Sequence, residues 1–282
     1  MTAFSMLHLS DTHLSARMGH FQRNNELMLE VLKNSTHDLI VHTGDITLDG
    51  IRHEDDFSFC RSFYETLDQH IHFIPGNHDV GDNPRLSRPA AENGSTIDDI
   101  RMRRYLDYYG EDRWRVDRER WLVLGINSLL VGSGLSREAE QNAWIAEQLA
   151  DVEDRHLALF THQPFFIDDP DPIDLSYWTV DPEGREALRF LMEHPRLRMI
   201  ASGHLHQERL RSHGQTGLVW CPSIAFTTRE KLVPEMGGQR QVGYLEHRFE
   251  DDGTVATTVC GHPGFQNSHL DDVIKVVYPF AG

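Results

Sequence analysis

Three stretches are built to one plan: Met6-Leu7-His8-Leu9-Ser10-Asp11-Thr12-His13, Leu39-Ile40-Val41-His42-Thr43-Gly44-Asp45, and Ile71-His72-Phe73-Ile74-Pro75-Gly76-Asn77-His78-Asp79. In each, a short apolar run suited to a buried strand ends in side chains that ligate metals. Between the first two, Leu27, Met28, Val31 and Leu32 fall at helical spacing over 24–32. Between the second and third, Phe59, Cys60, Phe63, Tyr64 and Leu67 do so over 57–67. Strand–helix–strand–helix–strand predicts βαβ units and a sheet with parallel strands, hence an α/β fold. Open α/β sheets carry their chemistry at the carboxyl ends of strands, where these polar residues stand.

The plan repeats downstream. Leu157–Phe160 leads into Thr161-His162, and Leu197–Ser202 leads into Gly203-His204-Leu205-His206. Strands are expected at 121–127 and 217–225. Val242–Phe249 and Thr254–Val259 should pair across Asp251-Asp252-Gly253, a hairpin signal. Helices are expected over 100–109, over 137–149 with Ser136 as N-cap, and over 182–193 with Pro182 in the first turn. The polar stretch 82–99 and the acidic, proline-rich stretch 168–178 read as loops, either of which could serve as a lid. No repeat or linker divides the chain. One domain is expected over 1–260, followed by a tail, 261–282, that offers an added strand at Val273–Tyr278 or a dimer contact.

The 282 residues, 39% hydrophobic and 25% charged, describe an ordinary globular chain. No apolar run approaches the roughly 18 residues that span a bilayer, and residues 1–10 read as a core strand and not as a signal peptide. Lys and Arg number 27 against 44 Asp and Glu, a formal charge of −17. Such a surface repels duplex nucleic acid and anionic lipid, but bound divalent cations can reverse the potential locally for a small anionic substrate. Cys60, Cys221 and Cys260 fit reduced thiols better than a disulfide framework. These features favour a cytoplasmic location.

Oxygen and imidazole ligands without thiolates suit manganese, iron, cobalt or zinc. Two such cations about 3.5–4 Å apart clamp a phosphoryl group and activate a water between them. That site needs a shared carboxylate, several neutral imidazoles and an acid near the leaving group, and the five clusters supply all of these. The series Asp-x-His, Gly-Asp, Gly-Asn-His-Asp, a lone His and Gly-His-x-His, in order over residues 6–260, resembles that of the calcineurin-like metallophosphoesterases. The resemblance implies a four-layer αββα sandwich of two mixed β-sheets over 1–260. It implies two divalent ions (Mn, Fe or Zn): Asp11, His13 and His206 on the first, Asp45 bridging, Asn77, His162 and His204 on the second. His78 would be a catalytic residue beside the phosphoryl group, with Asp79 orienting it.

Within that family, Leu48 stands where purple acid phosphatases place a ligand tyrosine. Gly44-Asp45-Ile46-Thr47-Leu48-Asp49-Gly50 departs from the protein-phosphatase block. The chain is most similar to the bacterial class III cyclic-nucleotide and glycerophosphodiester phosphodiesterases. The implied activity is hydrolysis of small organic phosphodiesters by a hydroxide held between the metals. Alternatives are a broad-specificity phosphomonoesterase, a nuclease, or a catalytically inactive scaffold. One departure is Thr161-His162-Gln163-Pro164, where those enzymes often carry His-His-Pro-Pro around the lone histidine. Candidate substrate contacts are Arg17, His20, Asn25 and Gln163, with helix capping as the alternative for Asn25. The partner is a small-molecule phosphodiester, with no duplex nucleic acid, no membrane, and room for a homo-oligomer.

Overall fold

The structure is a computed structural model that describes residues 3–85, 95–118, 120–170, 176–230, 232 and 235–278. Eleven strands are described: β1 (Phe4–Leu9), β2 (Leu39–His42), β3 (Ile71–Phe73), β4 (Trp114–Arg118), β5 (Trp121–Gly125), β6 (His156–Thr161), β7 (Leu197–Ser202), β8 (Arg209–His213), β9 (Thr216–Trp220), β10 (Tyr244–Phe249) and β11 (Val255–Cys260). The helices are α1 (Gln22–Lys33), α2 (Glu54–Tyr64), α3 (Asn77–Val80), α4 (Asp99–Tyr109), α5 (Ser136–Ala150), α6 (Pro182–Ala187), α7 (Arg189–Met192) and α8 (Leu270–Val277). Among the described residues, no helix is long and apolar enough to cross a membrane.

One sheet runs β11-β10-β1-β2-β3 and the other β4-β5-β6-β7-β9-β8. In the first, β1, β2 and β3 are parallel and β10 and β11 antiparallel. In the second, β5, β6, β7 and β9 are parallel, with β4 and β8 antiparallel at the edges. Alternation along each central strand builds the layers. Met6, Val41, Ala158, Phe160, Leu245 and Phe249 point into one core between the sheets. Their neighbours Leu7, Leu9 and Ile40 point outward to α1, α2 and α4, where Met28, Leu32, Phe57 and Tyr105 cover them. Leu122, Leu124, Leu157 and Leu159 face Ile145 of α5 and Leu191 of α7. The result is the expected αββα sandwich.

Three local expectations are corrected. Ser136 is the first helical residue of α5, not its cap; the Glu138 carboxylate accepts the Gly132 and Gly134 N–H groups instead. The helix expected over 182–193 breaks into α6 and α7, with the Asp181 carboxylate capping Gly184 N–H ahead of Pro182. Val273–Tyr278 is not a strand. Leu270, Val273 and Val277 recur at helical spacing and pack on Phe21, Leu48 and Phe226 of the same chain, so tertiary burial overrides the β-branched composition. The start of the 82–99 loop is fixed, with Asn83 Nδ2 donating to the carbonyls of Leu129 and Val131. The lid readings fall largely on 86–94 and 171–175, outside the described residues.

Candidate metal centre

The loops leaving β1, β2, β3, β6 and β7 converge at one end of the sandwich. Asp11, His13, Asp45 and His206 bring one ligand atom each to within 4.8 Å of one another, and Asp45, His162 and His204 do the same. All are buried. Asp45 belongs to both groups, and Asn77 Oδ1 lies 3.1 Å from His162 Nε2, completing the second. The structure thus brings together all seven expected ligand residues. His78 borders them, its Nε2 4.0 Å from Asp45 Oδ2, with its side chain 28% exposed. It is the imidazole that solvent reaches.

The loops hold strained backbone. Six non-glycine residues among those described have positive φ, and five are ligand candidates: Asp11 (54°), His13 (43°), Asp45 (52°), His204 (69°) and His206 (52°). Each such residue costs about 1–2 kcal/mol, because Cβ crowds the following carbonyl oxygen. Cross-links between motifs hold them there. His204 N–H donates to Asp11 at 3.1–3.2 Å, and His78 N–H donates to Asp45 Oδ1 at 2.8 Å. Two glycines permit these contacts: a Cβ on Gly76 would sit 2.2 Å from Asp45 N and Oδ1, and one on Gly203 1.9 Å from Ser10 Oγ. Beneath them, Ser223 Oγ donates to Asp11 O and Thr12 Oγ1 to Ile46 O.

Hydrogen bonds also fix which imidazole nitrogen faces inward. His162 Nδ1 lies 2.8 Å from Thr43 O, and His206 Nδ1 2.8 Å from Phe226 O. A carbonyl only accepts, so both Nδ1 atoms carry hydrogen, and it is Nε2 that each ring turns to the centre, free to ligate once it carries no proton. There they meet carboxylate oxygens and further ring nitrogens. His206 Nε2 is 3.3 Å from Asp11 Oδ1 and 3.2 Å from His13 Nε2; His162 Nε2 is 3.5 Å from Asp45 Oδ1 and 3.2 Å from His204 Nδ1. Buried carboxylates and ring nitrogens this close together repel unless positive charge, from protons or from metal ions, sits among them. The residues therefore fit cations.

The titration shifts agree. Burial pushes the Asp11 and Asp45 carboxyls up, but the facing histidines, His206 and His162 foremost, outweigh it and hold both well below the usual carboxylate range. Burial pulls His162 down, yet Asp45 and then Asp11 raise it to about 9. Positive charge is drawn into this pocket.

Asp79 does not orient His78. Its carboxylate is occupied by the N–H groups of Gly76 (2.9 Å), Ile46 (3.2 Å) and Thr47 (2.9 Å) and by the Thr47 hydroxyl (2.8 Å). It ties the Gly76 turn to the loop after Asp45. Burial, then the charge of Asp45, pushes it up to about 6 despite these bonds. His78 Nδ1 lies instead 2.7 Å from Leu48 O.

The candidate substrate contacts separate. Arg17 turns away, to Asp56 at 3.2 Å and Asp55 at 3.8 Å. Exposed His20 packs edge-on against Phe21. Buried Asn25 braces the first loop, its Nδ2 donating to Thr12 O (2.8 Å) and Phe21 O (3.1 Å). Gln163 is buried beside His162, with no hydrogen-bond partner for Nε2 among the described residues. Phe165 and Phe166 are core residues, whereas Tyr177 and Trp178 stand with ring centres 6.0 and 5.9 Å from His204. Sequence reasoning missed Tyr278, whose hydroxyl lies 3.5 Å from both His13 Nδ1 and His78 Nδ1. No motif marks it; its only signal is the helical spacing that precedes it.

Comparison with known proteins agrees with this geometry. The chain is 28% identical over 298 residues to a 3',5'-cyclic adenosine monophosphate phosphodiesterase CpdA of Pseudomonas aeruginosa, covering 98% of this chain and 94% of the relative. It is 26% identical to a probable glycerophosphodiester phosphodiesterase GpdQ of Arcobacter nitrofigilis, covering 72% and 71%. A dimetal phosphatase from Danio rerio shares the fold with a TM-score of 0.59 at 12% identity, over 92% of this chain and 96% of that one. The sequence model described as Calcineurin-like phosphoesterase matches residues 4–208, and the chain belongs to that family.

Proposed function

We propose that this protein is a bimetal-dependent hydrolase of small organic phosphodiesters, of the cyclic-nucleotide or glycerophosphodiester type. The observation that carries the reading is the pair of buried ligand groups sharing Asp45, with His78 exposed at their edge. Asp11, His13 and His206 would hold one divalent ion and Asn77, His162 and His204 the other, with Asp45 on both. When bound, such ions supply Lewis acidity toward phosphoryl oxygens and an activated water. The carboxylates and neutral imidazoles leave net positive charge in the centre. Thr43 O and Phe226 O keep the ring hydrogens of His162 and His206 on the outer nitrogens. With Nδ1–H held by Leu48 O, His78 turns Nε2 toward the centre, where it can accept a proton or, once protonated, give one to a departing alkoxide.

The names of the two relatives above support a diester over a monoester, and the charge of −17, with no basic stripe in the sequence to track a long polyanion, disfavours a nuclease. Manganese, iron and zinc all suit the donor set. The deciding measurement is turnover of bis(p-nitrophenyl) phosphate against p-nitrophenyl phosphate with added manganese, before and after chelation. The diester should give the larger kcat/KM, and chelation should abolish it. Preference for the monoester would make the protein a phosphomonoesterase. No turnover and no bound metal would leave only a scaffold, and cleavage of single-stranded oligonucleotides would revive a nuclease.

A further inference from the structure

Residues 266–278 return across the molecule and end against the metal cradle. Asn24 holds their start, donating from Nδ2 to Gln266 O (2.9 Å) and accepting Gln266 N–H at Oδ1 (2.8 Å). Thr227 and Leu270 share the next bond, Leu270 N–H to Thr227 O at 2.9 Å. Arg229 then forms a two-pronged pair with Asp272. Val277 is buried against the cluster containing Phe226, whose ring packs 4.3 Å from His206 and 4.9 Å from His13. The strap delivers Tyr278 to the centre, its ring 5.5 Å from that of His78.

The hydrogen-bond roles around the phenol are constrained. His78 Nδ1 carries hydrogen, because Leu48 O only accepts. His13 turns Nε2 inward, 3.6 Å from Asp45 Oδ2, so as a metal ligand it carries hydrogen on Nδ1. His78 Nδ1–H is engaged by Leu48 O, so His13 Nδ1–H is the donor left for the phenol oxygen. Neither nitrogen can accept the phenol's own proton, which finds no acceptor among the described residues. We propose that Tyr278 is a substrate-binding residue, its hydroxyl donating to a non-bridging phosphoryl oxygen on the His13 side of the centre. This rests on the metal-dependent reading above. It makes the strap one wall of the substrate site.

The test compares the full-length protein with Tyr278→Phe, both saturated with manganese, in calorimetric titrations with inorganic phosphate. Tyr278→Phe keeps the ring and its packing and removes only the donor. A hydrogen bond to a charged acceptor contributes about 1.5–3 kcal/mol, so phosphate should bind about 10- to 100-fold more weakly. The variant's kcat/KM on bis(p-nitrophenyl) phosphate should fall in proportion. If the phenol only braced His13, manganese affinity would fall while phosphate affinity at saturating manganese stayed put, and the proposal would be overturned. It would also be overturned if the wild-type protein bound no phosphate. Wild-type protein that binds phosphate, loses that binding on Tyr278→Phe and turns over no diester would support the contact and remove the phosphodiesterase reading alone.

Discussion

The cradle and the strap meet at Tyr278 but are built differently. In the cradle, five ligand candidates sit on strained loop residues, and backbone groups of other loops hold the set: Asp11 by His204 N–H, Asp45 by His78 N–H, His162 by Thr43 O. The strap has one unstrained helix, fastened at scattered points by the side chains of Asn24 and Arg229 and by the backbone of Thr227. The cradle's parts are interdependent, so removing one should disturb all. The strap's fastenings are separate, so each should cost only its own contribution. That contrast can be broken by substitution.

The largest effect is expected at Asp45. Asp45→Asn keeps the shape but removes the charge common to both ligand groups. Metal stabilisation worth several kcal/mol is at stake, so diester turnover should drop about 1,000-fold or more, with metal content falling at both positions. Elemental analysis beside kinetics checks this. One metal retained with near-normal turnover would mean that the two groups are independent.

Asp79→Ala comes next and separates clamp from catalyst. Losing the carboxylate strands the buried N–H groups of Gly76, Ile46 and Thr47, costing about 3 kcal/mol or more at 1–3 kcal/mol per stranded group. Denaturant midpoints should fall, and the pH profile of whatever activity survives should keep its shape. A shifted profile at unchanged stability would restore Asp79 as the partner of His78.

Much of the cradle was legible in the sequence because each ligand follows an apolar run directly, and strands buried on both faces leave such runs unbroken. The edges were not. Strand β8, Arg-Leu-Arg-Ser-His, is mostly exposed, and only its pairing with β9 makes it a strand. Asp79 misled for a related reason. Adjacency to His78 suggested a partnership, but apart from the Gly76 N–H its bonds run to Ile46 and Thr47, more than 30 positions away. Val273–Tyr278 misled because β-branched residues suit strands locally, while the surface that makes them a helix comes from Phe21, Leu48 and Phe226.

A third perturbation lies behind the cradle. His247 on β10 is buried, its Nε2 3.2 Å from His8 Nδ1 and its Nδ1 2.9 Å from Thr257 Oγ1. Burial, then the charge of His37, lowers it to about 3. Its folded value therefore lies below its unfolded value of about 6.5. Stability is undiminished above pH 6.5 and falls as pH drops from there toward 3, because the unfolded chain takes the proton first. At pH 5 the loss from this residue is about 2 kcal/mol, from 1.36 kcal/mol per unit. His247→Gln should flatten the stability curve between pH 7 and 5 by that amount, whatever flat cost the substitution carries. Unfolding midpoints across that range measure it; an unchanged slope would place the acid sensitivity elsewhere.

The smallest effects test the strap. Arg229 and Asp272 are exposed, 47% and 59%, so solvent screens them and Arg229→Ala should leave the unfolding midpoint nearly unchanged. Asn24 is buried and bonds to the strap through both ends of its amide. Asn24→Ala strands Gln266 N–H and leaves the backbone oxygen of Ile224 without its amide donor, a cost of about 1–3 kcal/mol. Neither residue touches a ligand candidate. Both variants should therefore keep their manganese, and Asn24→Ala should weaken phosphate binding more than Arg229→Ala by freeing the strap that carries Tyr278. Proteolysis near residue 266 would report the release directly. Loss of manganese on Asn24→Ala would join strap and cradle into one cooperative unit, because the Asn24 amide also donates to Ile224 O, and Ile224 N–H in turn donates to Ser10 O beside Asp11.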